Sequence, residues 1–128
     1  MAAMTPRGPD RPSKPTRPPR AFVPEWPHGP VSRVPEAEGG EATEWLAEQA
    51  ARLAGQIMRR RLERGLRRSQ LAARTGLRPN TILDVEDGRS WPDFRTIGLI
   101  AWALEADLEF EPRVALRAAE PVSRYRTD

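Results

Sequence analysis

The sequence predicts an all-α bundle of four to five short helices, with a proline-rich arm before it and a short strand after it. Three observations point there. Apolar residues recur every three to four positions through most of residues 43–104, the spacing of one buried helical face. Glycines at 65, 76 and 88 stand where successive apolar stripes stop, the usual place for a residue with positive φ. Pro79 stands three residues after Gly76, at a helical first turn that needs no amide proton.

The arm comes first. Ten of the fourteen prolines lie in residues 1–35, with few large apolar side chains. Such a stretch is expected to bury too little surface to offset its ordering entropy. Residues 1–40 are therefore expected to be a disordered Pro/Arg-rich arm of polyproline II character. Residues 1–20 hold five basic residues and one acid, so the arm suits contact with a phosphate backbone as well as a solvated tail. Phe22, Trp26 and Pro27 resemble a short docking motif for a protein partner.

A domain is expected over 41–107. The first helix should run from about Thr43 to Arg64, capped by Thr43, with Leu46, Ala50, Leu53, Ile57 and Leu62 as its apolar stripe. A second helix carries Leu71 and Ala72 inward and ends at Gly76. A third, about 79–87, buries Ile82 and Val85 and ends at Gly88. The fourth, about Asp93 to Leu104, buries Ile97, Ile100, Ala101 and Leu104. Residues 107–116 alternate as a strand that Pro112 weakens. The 108–128 segment reads as strand and tail, suited to a dimer or partner contact.

Charge is distributed unevenly along the chain. Net charge is only +3, yet residues 59–78 hold eight arginines against Glu63 alone, and residues 79–112 hold eight acids against Arg89 and Arg95. A basic block of this kind suits a polyanion. The chain lacks cysteine, which excludes disulfides and thiolate metal sites. The single histidine, His28, has no metal-ligand spacing around it. Glu109 and Glu111 read as the wet face of a strand. No nucleophile sits with a base, and no glycine loop suits a phosphate, so neither an enzyme nor a cofactor is expected. With no membrane span or secretory signal, a soluble protein of the bacterial cytoplasm (nucleoid) is expected; twenty arginines against one lysine suggest the GC-rich source.

The ordered series from Leu53 to Leu108 resembles the Xre/Cro/C1-type helix-turn-helix family, the lambda-repressor-like DNA-binding domains. The pieces are Arg61 and Gly65-Leu66, Leu71-Ala72, Gly76-Leu77, Thr81-Ile82, Glu86-Asp87-Gly88, Pro92, and Ile97 with Ile100-Ala101 and Ala103-Leu104. The resemblance implies that the third helix enters the major groove of double-stranded DNA. Asn80, Thr81 and Asp84 then take base-reading positions. Asn80 suits adenine, Thr81 a thymine methyl or a phosphate, and Asp84 cytosine N4. Pro79 departs from the family, in which many members carry a polar residue there. Arg67, Arg68, Arg78 and Arg89 take phosphate positions, with Arg95 a lesser candidate. Arg61 and Glu86 match a buried structural ion pair between the first and third helices.

The implied activity is transcription regulation by a homodimer on a two-fold operator. Two other readings fit the same residues. One is an antitoxin of a toxin–antitoxin pair that also autoregulates its operon. The other is a helix-turn-helix protein-interaction module, which Asp84 and Asp87 near the DNA face keep open.

Overall fold

The structure, a computed structural model, describes residues 15–107. These residues form four α-helices: α1 (Gly40–Glu63), α2 (Arg68–Thr75), α3 (Pro79–Glu86) and α4 (Phe94–Ala103), with 3-10 turns at Pro19–Phe22 and Glu36–Glu38 before them. The all-α helix-turn-helix bundle read from the sequence is present. Of the strand expected at 107–116, everything past Asp107 lies outside the described residues, as do the 108–128 tail and the first fourteen residues of the arm.

The bundle's core is built by the glycine-punctuated helices. Ile57 and Leu66 meet Leu71 and Ala72 of α2, Ile82 and Val85 of α3, and Ile97, Ile100, Ala103 and Leu104 around α4. Leu71, Ile82 and Ile100 are fully enclosed. Gly76 caps α2 at φ +77°, a conformation that an L side chain adopts only with strain. Pro79 opens α3 where no intrahelical donor is required. Asp93 caps α4, its carboxylate accepting from the Thr96 amide at 2.7 Å. That bond holds the Asp93 carboxyl below the usual carboxylate range.

Three expectations are corrected. First, Thr43 does not cap α1. The helix begins three residues earlier, at Gly40, and the Thr43 hydroxyl donates to the Glu38 carbonyl at 2.7 Å.

Second, the buried stripe of α1 is rotated from the one expected. Thr43, Ala47, Ala51, Ala54, Ile57 and Arg61 face inward. Leu46 and Leu62 are exposed, at 44% and 65% of their surface. A helix of 24 residues is about 36 Å long and here outruns the bundle. Its N-terminal half needs a face of small residues for something else to approach closely, and the alanines provide it.

Third, residues 15–40 are not a loose arm. Phe22, Val23 and Val34 are almost fully buried against Ala47 and Ala51, with Trp26, Val31 and Trp91 packed around them. This strap forms a second, smaller core on the front half of α1. Proline-rich composition did not prevent it, because prolines arrive with φ already fixed and lose less entropy on ordering. A handful of large apolar residues was enough once the alanine face of α1 gave them somewhere to bury. Polar ties complete the strap. The Val34 amide donates to the Glu44 carboxylate at 2.9 Å, and the Trp91 indole donates to the Arg17 carbonyl at 2.8 Å. Arg17 forks onto Glu38 at 2.9 and 2.8 Å and lies over the Phe22 ring.

Candidate nucleic-acid interface

Helix α3 has two faces. Ile82, Val85 and Glu86 point into the bundle, while Pro79 and Asn80 are exposed and Thr81 and Asp84 half-exposed. Asn80 and Asp84 stand one turn apart, with Thr81 beside them, so the three share the outer face. An amide, a hydroxyl and a carboxylate on one solvent-facing strip are groups able to read base edges. The structure thus brings the three base-reading candidates together.

The phosphate candidates sit at the starts of α2, α3 and α4 and just past α3. Arg78 is the exposed N-cap residue of α3, and Arg67 the exposed N-cap residue of α2. Arginine has no acceptor, so the Arg67 side chain cannot cap α2. Gln70 compensates: its side-chain oxygen accepts from the Arg67 amide at 2.8 Å, which is half of a capping box. A glutamine three residues after the cap was the signal for this in the sequence. Arg89 is exposed just past α3 and lies 3.4 Å from Asp87. Arg95 is exposed in the first turn of α4.

Arg68 is held differently. Its Nε donates to a Glu86 carboxylate oxygen at 2.9 Å, while the side chain remains 41% exposed. One edge of the guanidinium is anchored inward, and the remainder faces solvent.

Arg61 and Glu86 meet inside the bundle. Arg61 donates from Nε and Nη2 to the two Glu86 oxygens at 2.7 and 3.0 Å, a bidentate pair, and from Nη1 to the Leu66 carbonyl at 2.9 Å. Both residues are buried, Glu86 completely. Glu86 therefore ties α3 to α1 through Arg61 and to the start of α2 through Arg68. The family resemblance implied the first tie; nothing in the spacing of Arg68 pointed to the second.

The strap supplies a third tie that sequence reasoning missed. The Trp26 indole donates to the Glu86 carbonyl at 2.7 Å. Its ring covers Gly88, where a Cβ would come within 2.6 Å of ring carbons and φ is already +68°. Only glycine fits there. The Arg20 amide donates to the Gly88 carbonyl at 2.9 Å. The C-terminal end of α3 is thus clamped by the strap. A Trp followed by Pro gave no hint of a contact sixty residues away.

The described residues contain no cluster of metal-ligating side chains and no helix long and apolar enough to cross a membrane.

A short glycine turn, a second helix with an outward polar strip, and arginines flanking it define a helix-turn-helix of the DNA-binding kind. Residues 57–110 match the helix-turn-helix family model, and this stretch is similar to the Cro/C1-type helix-turn-helix domains, a DNA-binding family. The match covers a little under half of the chain and begins within α1, so the strap lies outside it. No curated protein matches the chain.

Proposed function

We propose that this chain is a sequence-specific transcriptional regulator of the cytoplasm (nucleoid) that places α3 in the major groove of operator DNA. The observation that carries the reading is the outer face of α3, where Asn80, Thr81 and Asp84 stand together opposite the buried Ile82, Val85 and ion-paired Glu86. Asn80 offers a bidentate contact to adenine, Thr81 a methyl or hydroxyl contact, and Asp84 an acceptor for cytosine N4. Arg67, Arg68, Arg78 and Arg89 hold the backbone and fix the register without reading sequence.

One module this small makes few contacts, so two copies act together on half-sites about one helical turn apart. Helix α4 supports this, because Phe94 and Trp102 leave 78% and 69% of their surface exposed on it.

Selection of genomic DNA fragments by the purified protein tests the proposal, run beside an Asn80→Ala/Thr81→Ala variant. The wild type should enrich a palindromic site. The variant should lose roughly 1–3 kcal/mol of discrimination per base contact and keep weak, salt-sensitive binding. A wild type that enriches no sequence defeats the regulator reading. Light scattering should find a dimer on the operator, and a monomer with and without DNA would defeat the two-copy arrangement.

A further inference from the structure

The C-terminal end of α3 is the meeting point of three segments of the chain. Arg68 arrives from α2 onto Glu86, Arg89 follows Gly88 directly, and the strap delivers Arg20 through its backbone bond to the Gly88 carbonyl. The Arg20 amide thus donates to the carbonyl of the residue that Arg89 follows, and both arginines are exposed. Arg89 has Asp87 nearby, at 3.4 Å, but no carboxylate pairs with Arg20 among the described residues. By contrast Arg17, three residues earlier in the strap, is committed to Glu38 and Phe22. Among the described residues, the packing of the strap thus leaves Arg20 without a counter-ion at the C-terminal end of α3.

We propose that Arg20, together with Arg89, is a DNA phosphate-binding site, so that the strap takes part in DNA binding. The inference rests on the placement of α3 in the major groove given above. Helix α3 has eight residues and is about 12 Å long, close to the roughly 12 Å width of that groove. When its N-terminal half reads base edges, groups at its C-terminal end fall level with a wall of the groove, where phosphates line up. The ligand is the phosphodiester backbone, and the contact carries no sequence information. Trp26 makes the site possible. Its indole on the Glu86 carbonyl and its ring on Gly88 fix the strap to the helix end, so the Arg20 backbone is held there before DNA arrives.

The test is the salt dependence of binding by the full chain, measured by fluorescence anisotropy on the selected operator and on a scrambled duplex. The variants are Arg20→Gln, Arg20→Lys, Arg89→Gln and Arg78→Gln. Each lost phosphate contact reduces the slope of log K against log salt by about 0.9. Between 50 and 200 mM salt the wild type should therefore lose roughly 3-fold more affinity than Arg20→Gln. The effect should be equal on the two duplexes, and Arg20→Lys should restore the slope. Arg20→Gln should melt as the wild type does, since its side chain is exposed. An unchanged slope in Arg20→Gln, with a reduced one in Arg78→Gln, overturns this site and leaves the DNA-binding reading standing. A wild type that binds neither duplex overturns both.

Discussion

The described residues hold two cores on one helix, and they were built by different rules. The bundle core gathers residues from four segments at helical spacing; α1, α2 and α3 are each ended by a glycine, and α4 by Glu105 at φ 56°. The strap core holds Phe22, Val23 and Val34 in chain without regular helix, pressed onto the alanines of α1. In the first, local sequence and tertiary packing agree. In the second, packing overrides a composition that argues for disorder. What decides order is whether a few large side chains find a matching surface, and no composition of the segment alone contains that surface. The largest expected effects lie where the two regions join, at the C-terminal end of α3.

Glu86 should give the largest loss. Its carboxylate satisfies Arg61, which is itself buried, and Arg68, which reaches solvent. Glu86→Ala strands the Arg61 guanidinium with the Leu66 carbonyl alone, and breaking such a pair destabilises by roughly 3–5 kcal/mol. DNA binding should vanish through unfolding, with Arg68 contributing little because water can solvate it. Thermal melts followed by circular dichroism check this. A normal melting temperature in Glu86→Ala would show that the pair does not support the fold.

Next comes Phe22, the largest fully buried side chain of the strap core. It lies 6.4 Å from the Trp91 ring, centroid to centroid, and is 1% exposed. Phe22→Ala should cost roughly 3 kcal/mol or somewhat more if strap and bundle unfold as one unit. Leu71→Ala in the bundle should cost a similar amount, about 2–5 kcal/mol. Tryptophan fluorescence, to which Trp26 and Trp91 of the strap core contribute, and helical circular dichroism separate the two cases. Coincident transitions in both variants mean one cooperative domain. An early fluorescence transition in Phe22→Ala means a strap that detaches and leaves the bundle intact, which would make the two cores independent.

Legibility in the sequence divides along the same line. The second, third and fourth helices were visible because Leu71, Ile82, Val85, Ile97 and Ile100 fall at helical spacing between breakers. The outer strip of α3 was visible through the family resemblance. The face of α1 was legible only in part, because Ile57 is buried as expected while Leu46 and Leu62 are exposed. Alanines at 47, 51 and 54 mark a surface for close approach, and leucines draw the eye away from them. The strap was not visible because its contacts are long-range. Trp26 reaches Glu86, Arg20 reaches Gly88, and Trp91 reaches Arg17. Single-sequence periodicity holds no record of such pairs. One cue did exist, a lone Gly88 that both ends a helix and must admit a ring.

A smaller effect is expected at Trp26. Trp26→Phe keeps an aromatic ring to cover Gly88 and removes the donor to the Glu86 carbonyl. The loss should be about 1 kcal/mol, the net worth of one hydrogen bond. Amide hydrogen exchange should show faster opening at the C-terminal turn of α3 than elsewhere in the bundle. Equal protection across α3 in wild type and variant would mean the strap covers the helix end without holding it.

The smallest effect is electrostatic and sharpens the comparison by pH. Arg17 holds the Glu38 carboxyl below its usual range, chiefly through their hydrogen bonds, with Thr16 adding a weaker one. A carboxyl lowered in the folded state stabilises fully above its unfolded value and loses that contribution as pH falls through the folded value. The strap should therefore loosen only in acid, below about pH 4, and the contribution is modest because the pair is open to solvent. The raised Arg17 value has no consequence at any ordinary pH, because its contribution is complete throughout that range. Asp93 follows the same sign at the start of α4, where the Thr96 amide lowers it. The two are separable: Glu38→Gln removes a titration in the strap, whereas Asp93→Asn removes one in the bundle and keeps the cap. Melts at pH 7 and pH 3 should show a smaller acid-induced drop in each variant than in the wild type. The Glu38→Gln difference should appear in tryptophan fluorescence, and the Asp93→Asn difference in helical signal. If Glu38→Gln loses as much stability in acid as the wild type does, the Arg17–Glu38 pair contributes nothing to holding the strap, and its apolar core and the ties to α3 hold it alone.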